Sequence, residues 1–109
     1  MTGPVLVTGA SGFVGRRLTR ALVEEGRDVR AMTRHPEAYD GPGRPRHGDV
    51  HDPASLGEAL AGCSAAYYLV HSLDSPDFQR LDAEAAAAFG QAAAEAGVQQ
   101  IVYLGGLGR

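Results

Sequence analysis

Three glycines at a regular spacing restrict the possible folds of this chain more than any other feature. Gly9, Gly12 and Gly15 directly follow the short apolar run of residues 5–8, and residues 13–25 have the periodicity of an amphipathic helix. A strand of the type that is buried on both faces, a glycine turn and a helix together form the unit that cradles phosphate in nucleotide-binding proteins. We therefore expect a turn whose backbone approaches an anion closely, and the alternative is a turn with a purely structural role.

Each glycine in this spacing has its own physical reason. The first tolerates the backbone angles of a tight turn, the second lets a diphosphate approach without meeting a Cβ atom, and the third lets the helix pack closely on the strand. The free amides of the first helical turn and the helix dipole then stabilise negative charge. The residues from which we expect nucleotide contacts here are Gly9, Ser11, Gly12, Phe13, Val14 and Gly15.

The rest of the chain alternates strand-like and helix-like segments. Apolar runs predict strands, and stretches with helical spacing, two of them opened by Asp52-Pro53 and Ser75-Pro76, predict helices between them. Residues 35–45 contain three prolines and two glycines and are expected to form an exposed irregular loop. The expected strands are residues 5–8, 28–33, 46–50 (with its exit), 65–70 and 100–104.

Strands separated by helices imply parallel crossover connections and an open sheet with helices on both faces. We expect a doubly wound α/β fold with strand order 3-2-1-4-5, in a single domain of residues 1–109. A ligand of such a sheet binds beyond the carboxyl ends of the strands, at the point where strands 1 and 4 diverge.

The segment Thr8-Gly9-Ala10-Ser11-Gly12-Phe13-Val14-Gly15 resembles the Thr-Gly-x-x-Gly-x-x-Gly signature of the short-chain dehydrogenase/reductase superfamily, in its extended and atypical branches. Gly48-Asp49-Val50 and residues 67–72 and 101–108 are similar to the atypical, NmrA-like NAD(P)H-binding group. The resemblance covers essentially the whole chain. It implies a Rossmann-type fold, an NAD(P) cofactor and chemistry on a small-molecule substrate whose identity the sequence does not give.

The end of the second strand bears on the choice between NAD and NADP. An NAD site typically places a carboxylate about 20 residues beyond the glycines, where it accepts hydrogen bonds from the ribose hydroxyls. Here the strand runs into Arg34 and His35, and the first carboxylate is Glu37. Because a guanidinium pairs well with a 2′-phosphate, Arg34 favours NADP, with NAD possible. The alternative is that Arg34 is an ordinary solvated arginine.

The resemblance also implies contacts from the exits of strands 3 and 4. Asp49 would accept a hydrogen bond from the adenine amino group, and Val50 would lie along the ring. The alternative for Asp49 is a turn residue that bonds its own backbone. Leu69, Val70 and His71 would line the path of the ribose and nicotinamide.

Neither a catalytic residue nor a metal ligand is assigned from the sequence. His71 could transfer protons near neutral pH, but the sequence identifies no partner that would orient it. His47, Asp49, His51 and Asp52 are close in the chain but lack the spacing of a helical metal-binding pair, so no metal site is expected.

Two features depart from many members of the superfamily. All ten basic residues are arginine, so the Tyr-x-x-x-Lys pair is missing, and Gly105-Gly106 stand where a serine commonly follows strand 5. The chain is also short. We interpret it as the N-terminal portion of a longer protein, without the substrate-binding region. The alternative is that another subunit supplies the missing layers, with association through the edge of strand 5.

Three functions therefore stay open. The chain is the dinucleotide-binding part of an oxidoreductase or epimerase/dehydratase, a non-catalytic NAD(P) sensor, or a structural nucleotide-binding subunit. Its net charge of -3 argues against general nucleic-acid binding. No apolar run reaches the roughly 20 residues that span a bilayer. A lone cysteine, Cys63, and an N-terminus without the basic and apolar regions of a secretion signal favour the cytoplasm.

Overall fold

The computed structural model describes residues 3–69 and 76–104, with the backbone alone for residues 76–82 and 104. Five strands form one parallel sheet in this part of the chain, and three α-helices cover its faces. The strands are β1 (Val5–Val7), β2 (Val29–Thr33), β3 (Arg44–His47), β4 (Ala65–Leu69) and β5 (Gln100–Leu104). The helices are α1 (Phe13–Glu24), α2 (Pro53–Leu60) and α3 (Pro76–Ala96), with a 3-10 turn at Pro36–Ala38.

The order of the strands in the sheet is β3-β2-β1-β4-β5, and all neighbouring pairs are parallel. Val5 of β1 is in register with Val29 of β2 on one side and with Ala65 of β4 on the other. The chain leaves β1 towards β2 and later returns to the other side of β1 as β4. The predicted doubly wound fold and its switch point between β1 and β4 are therefore confirmed.

Two apolar layers hold the helices to the sheet. Val5 and Val7 point to the side of α1 and pack in a cluster that includes Leu22. Leu6 points to the opposite side and packs with α2 and α3, where Phe89 is fully buried. Because all three residues of β1 are inaccessible to solvent, the continuous apolar run of residues 5–8 is explained by a central strand that is covered on both faces.

The third strand differs from its prediction. β3 begins at Arg44 and ends at His47, so it includes Pro45, which was assigned to the irregular loop, and it ends before Gly48. All four residues are exposed, and β3 is at the edge of the sheet. An edge strand tolerates proline because one side of its backbone needs no hydrogen-bond donor. The loop prediction for residues 35–45 is thus wrong at its end.

The predicted start of α2 is confirmed. Asp52 precedes this helix and Pro53 is its first residue, but the Asp52 carboxylate makes no capping hydrogen bond. The Asp52 carbonyl instead accepts a hydrogen bond from Ser55 Oγ at 2.8 Å. Ser75, the other predicted cap, lies outside the described residues. Over the described ranges, no helix has both the length and the hydropathy needed to cross a membrane.

Candidate functional site

A cleft of about 340 Å³ lies at the carboxyl ends of the strands. It brings together the exits of β1, β2, β3 and β4, which the chain visits at widely separated points. Six of the residues expected to contact a nucleotide line it, namely Gly9, Ser11, Arg34, Asp49, Val50 and Leu69. The other lining residues are Thr8, Met32, Thr33, His35, Gly48 and His51.

The first and third glycines of the turn are required by the fold itself. Gly9 has a φ of +62°, a left-handed conformation that L side chains rarely adopt. Gly15 has ordinary backbone angles but is packed against the turn, and a Cβ atom there would lie 2.0 Å from the Gly9 carbonyl oxygen. It would also lie 2.8 Å from Cα of Ala10. The turn therefore exists only because these two positions lack side chains.

The second glycine is different, because the described protein atoms do not require it. Gly12 has a φ of −80° and a ψ of 175°, which any residue adopts. A Cβ atom there would meet only the Gly9 carbonyl oxygen, at an ordinary contact distance of 3.5 Å. Gly12 is thus exposed at the start of α1 with room for a side chain.

The N-terminus of α1 is free of side-chain caps in the described part of the chain. Gly12 is the N-cap residue and has no side chain to accept a hydrogen bond, and the first turn contains no acidic residue. Phe13 and Val14 are 76% and 48% exposed at this helix end, and the Arg17 guanidinium lies 5.2 Å from the Phe13 ring. Gly12, Phe13 and Val14 follow Ser11 in the chain but are not among the residues that line the cleft. An exposed, uncapped helix N-terminus favours an anionic ligand.

Thr8 is a site residue that the sequence analysis missed. Its side chain is almost fully buried, and its hydroxyl donates to the Tyr67 carbonyl at 3.3 Å and accepts from the Leu69 amide at 3.0 Å. These bonds join β1 to β4 at the position where the two strands end. A threonine that ends an apolar run was the available indication, because a hydroxyl at such a position needs a partner.

The exit of β2 presents a cation at the cleft. Arg34 is exposed and has no ion-pair or hydrogen-bond partner among the described residues. The backbone beside it is held by the His35 amide, which donates to Thr33 Oγ1 at 3.1 Å. The His35 imidazole lies 3.7 Å from the exposed carboxylate of Glu37. The guanidinium of Arg34 is thus available to a ligand.

Asp49 has the turn geometry that was one of its two interpretations. Its Oδ1 accepts a hydrogen bond from the His51 amide at 2.9 Å, and its own amide donates to Ser55 Oγ at 3.0 Å. A carboxylate has capacity for further hydrogen bonds, so the turn role does not occupy it fully. Val50 lines the same part of the cleft and packs against the apolar layer of α2 and α3. The contact of Asp49 with adenine stays a prediction.

The connection from β2 to β3 is attached to α1 by Arg16. One guanidinium nitrogen of Arg16 lies 2.6 Å from Asp40 Oδ1, and Nε donates to the Ser11 carbonyl at 3.3 Å. The hydrogen bond that Arg16 donates to Asp40 and the positive charge of the guanidinium hold the pKa of Asp40 below its usual range. Tyr39 lies beneath the guanidinium at 5.8 Å, and partial burial raises its pKa.

Some expected site residues lie outside the described part of the chain. Val70 and His71 follow Leu69 directly and are not described, and the same holds for Gly105 and Gly106. Within residues 3–69 and 76–104, no three potential metal ligands come together. His51 lines the cleft, whereas His47 is on the exposed edge strand.

Comparison with known proteins connects this geometry to a family. A family described as NAD(P)H-binding matches residues 9–109 of the chain. Dihydroflavonol 4-reductase of Hordeum vulgare is 36% identical over 84 residues, which make up 66% of this chain and 24% of that protein.

Two solved structures have a similar fold. A short-chain dehydrogenase/reductase superfamily protein from Agrobacterium tumefaciens with bound NAD is 33% identical, with a TM-score of 0.73 over 91% of this chain and 31% of that one. The Citrobacter sp. triphenylmethane reductase complexed with NADP(H) is 28% identical, with a TM-score of 0.73 over 92% of this chain and 36% of that one. The chain thus spans 24% to 36% of the length of these three proteins.

Proposed function

The chain belongs to the NAD(P)H-binding family, within the short-chain dehydrogenase/reductase superfamily, and on that premise we propose that its cleft binds NADP(H). The diphosphate rests on the first-turn amides of α1, in front of Gly12. The adenosine lies across the exits of β2 and β3, between Arg34 and Asp49. The ribose and nicotinamide follow Leu69 towards Val70 and His71.

The observation that carries this proposal is the contrast between Gly12 and its neighbours. Gly9 and Gly15 are glycine because the fold demands it, whereas Gly12 has no steric or conformational reason in the described protein to be glycine. A ligand that approaches the backbone supplies the missing reason. The helix end behind Gly12 has no side-chain cap. Because its free amides and the helix dipole favour an anion, the ligand should be negatively charged.

The preference for NADP over NAD rests on the exit of β2. Arg34 has no ion-pair or hydrogen-bond partner among the described residues, and the described residues that line the cleft at the end of β2 include no carboxylate. A carboxylate at that position would accept hydrogen bonds from the ribose hydroxyls and would repel a 2′-phosphate, whereas a guanidinium attracts it. Of the two similar structures, triphenylmethane reductase is complexed with NADP(H) and the Agrobacterium tumefaciens protein has bound NAD, so the preference rests on Arg34 alone.

The chemistry that the cofactor supplies is hydride transfer at its nicotinamide ring. The residues of this chain hold and orient the dinucleotide, and the rest of a longer protein binds the substrate and contributes the proton-transferring groups. We also propose that the longer protein has a substrate-binding region, that it lies in the cytoplasm and that it associates through the edge of β5. A non-catalytic NAD(P) sensor is the second candidate, because Gly105-Gly106 replace the serine that the resemblance leads one to expect.

Gly12→Ser tests the proposal, because it should move stability and binding in opposite directions. Serine is a good N-cap residue in the extended conformation that Gly12 already has, so the melting temperature should be unchanged or slightly raised. The serine side chain also occupies the space of the diphosphate and competes for its amides. We expect at least about a tenfold loss of NADPH affinity in a fluorescence titration.

Gly57→Ala is the matched control, since a Cβ atom at that helical position meets nothing within 4 Å. It should leave the NADPH affinity unchanged. Unaltered NADPH binding by Gly12→Ser, or no binding of either NADPH or NADH by the unmodified chain, would contradict the proposal. Turnover of a hydride donor by a longer natural form would separate the reductase from the sensor.

A further inference from the structure

Two segments border the cleft and share no backbone hydrogen bond in the described part of the chain, while the Ala10 amide of the first donates to the Met32 carbonyl of β2 at 3.4 Å. One is the glycine turn, residues 9–12, and the other is the connection from β2 to β3, residues 34–43. Under the proposed function the first holds the diphosphate and the second carries Arg34 to the 2′-phosphate. The distance between them therefore matters for a ligand that must reach both.

Arg16 is the side chain that contacts both segments. It is in the first turns of α1, where its Nε donates to the Ser11 carbonyl of the glycine turn at 3.3 Å. A terminal nitrogen of the same guanidinium donates to Asp40 Oδ1 of the connection at 2.6 Å. A planar guanidinium with several donors in fixed directions is suited to hold two acceptors at a set separation.

The connection is shaped around this guanidinium. The Tyr39 ring lies 5.8 Å from it, and the Tyr39 hydroxyl donates to the Pro42 carbonyl at 2.6 Å, which closes the chain into a tight turn. At Gly41 a Cβ atom would lie 2.6 Å from the Tyr39 hydroxyl and 3.1 Å from an Arg16 nitrogen. Tyr39 also packs against the apolar layer of α1. Contacts with α1 thus determine the path of the connection, and backbone pairing within the sheet does not.

Arg16 itself does not line the cleft, and its charge is already matched by Asp40. A direct contact of Arg16 with the ligand is therefore not what the geometry offers. We infer that Arg16 is a positioning residue, which through Ser11 and Asp40 sets the spacing between the diphosphate turn and the Arg34 segment and thereby the selectivity for NADP over NAD. This inference rests on the proposed function.

Four proteins test the inference, namely the unmodified chain, Arg16→Ala, Asp40→Ala and the double variant. Titrations with NADPH and with NADH give a selectivity ratio, which a general loss of stability would not change. We expect each single variant to lower the NADPH-to-NADH selectivity by roughly fivefold, the scale of one good surface ion pair. The double variant should lose no more than the larger single loss, because the two residues act through one contact.

Arg44→Ala is the matched control. It breaks another exposed arginine–aspartate pair, Arg44 with Asp28, at the opposite end of β2 and β3 from the cleft. Its selectivity should equal that of the unmodified chain. All the substituted side chains are substantially exposed, and a thermal melt of each variant checks that it folds.

Several results would overturn the inference. These are an equal loss for both cofactors, no loss in Arg16→Ala, additive losses in the double variant, or tighter NADPH binding by Asp40→Ala. The last of these would mean that Arg16 is a phosphate ligand held back by Asp40. Failure of the unmodified chain to bind either cofactor is a different result, and it would refute the proposed function instead.

Discussion

The two walls of the cleft are built by different means. The glycine turn is held by its own backbone and by close packing, since Gly15 lies against the Gly9 carbonyl with no room for a side chain. The connection from β2 to β3 is held by side chains, with the exposed pair of Arg16 and Asp40 in its middle and the partly buried Tyr39 ring packed on the layer of α1. One wall is fixed by backbone packing that leaves no room for a side chain, and the other is attached by side-chain contacts near the surface.

This difference suggests a division of labour within the proposed site. The diphosphate is common to NAD and NADP, so the rigid turn serves both cofactors. The 2′-phosphate distinguishes them, and under the proposed function it is bound by the wall that depends on surface contacts, the connection from β2 to β3. Buried steric contacts are worth much more per position than exposed ion pairs. Substitutions at Gly9 and Gly15 should therefore affect folding, and substitutions in the connection should affect selectivity.

Gly15→Ala should have the largest effect. The new Cβ atom would lie 2.0 Å from the Gly9 carbonyl oxygen and 2.8 Å from Cα of Ala10, and both are backbone atoms that cannot turn away. We expect a loss of about 3 kcal/mol in the free energy of unfolding, measured by urea denaturation. The Gly57→Ala control should instead gain about 0.5–1 kcal/mol, because alanine is the better helix former. Equal stability of the two variants would break the comparison.

Arg34→Ala should have an intermediate effect that appears only in binding. Loss of the guanidinium should weaken NADPH binding roughly tenfold and leave NADH binding nearly unchanged, because only NADPH carries the 2′-phosphate. Parallel titrations with the two reduced cofactors measure it. Arg27→Ala removes an exposed arginine that lies before β2, away from the cleft, and serves as the control. A similar loss for NADH would assign Arg34 to another role.

Arg44→Ala should have the smallest effect on stability. Arg44 contacts both carboxylate oxygens of Asp28, at 2.5 and 2.6 Å, but both side chains are at least half exposed. Solvent and salt screen such a pair, so the free energy of unfolding should fall by less than about 1 kcal/mol. Chemical denaturation at low and at high salt should show that the difference in the free energy of unfolding is smaller at high salt. A loss as large as that of Gly15→Ala would mean that this exposed pair contributes as much as close backbone packing, and it would break the comparison.

Features that depend on neighbouring residues in the sequence were predictable. The strand order followed from the alternation of strands and helices, because parallel crossovers leave few topologies. The left-handed conformation of Gly9 and the close packing of Gly15 followed from the glycine spacing, and the approach of a diphosphate at Gly12 stays a prediction. The third strand was placed less well, because an exposed edge strand of sequence Arg-Pro-Arg-His has no apolar pattern from which it could be recognised.

The sequence by itself determined the sheet, the glycine turn and the family, because buried strands, helix periodicity and glycine conformations are encoded over a few neighbouring residues. Only the tertiary structure decided how the walls of the cleft are joined. Thr8 meets the Leu69 amide across 61 residues of chain, and Arg16 meets Asp40 across 24. Such contacts form because strands and helices bring distant polar groups together, and no local pattern in the sequence records which groups will meet.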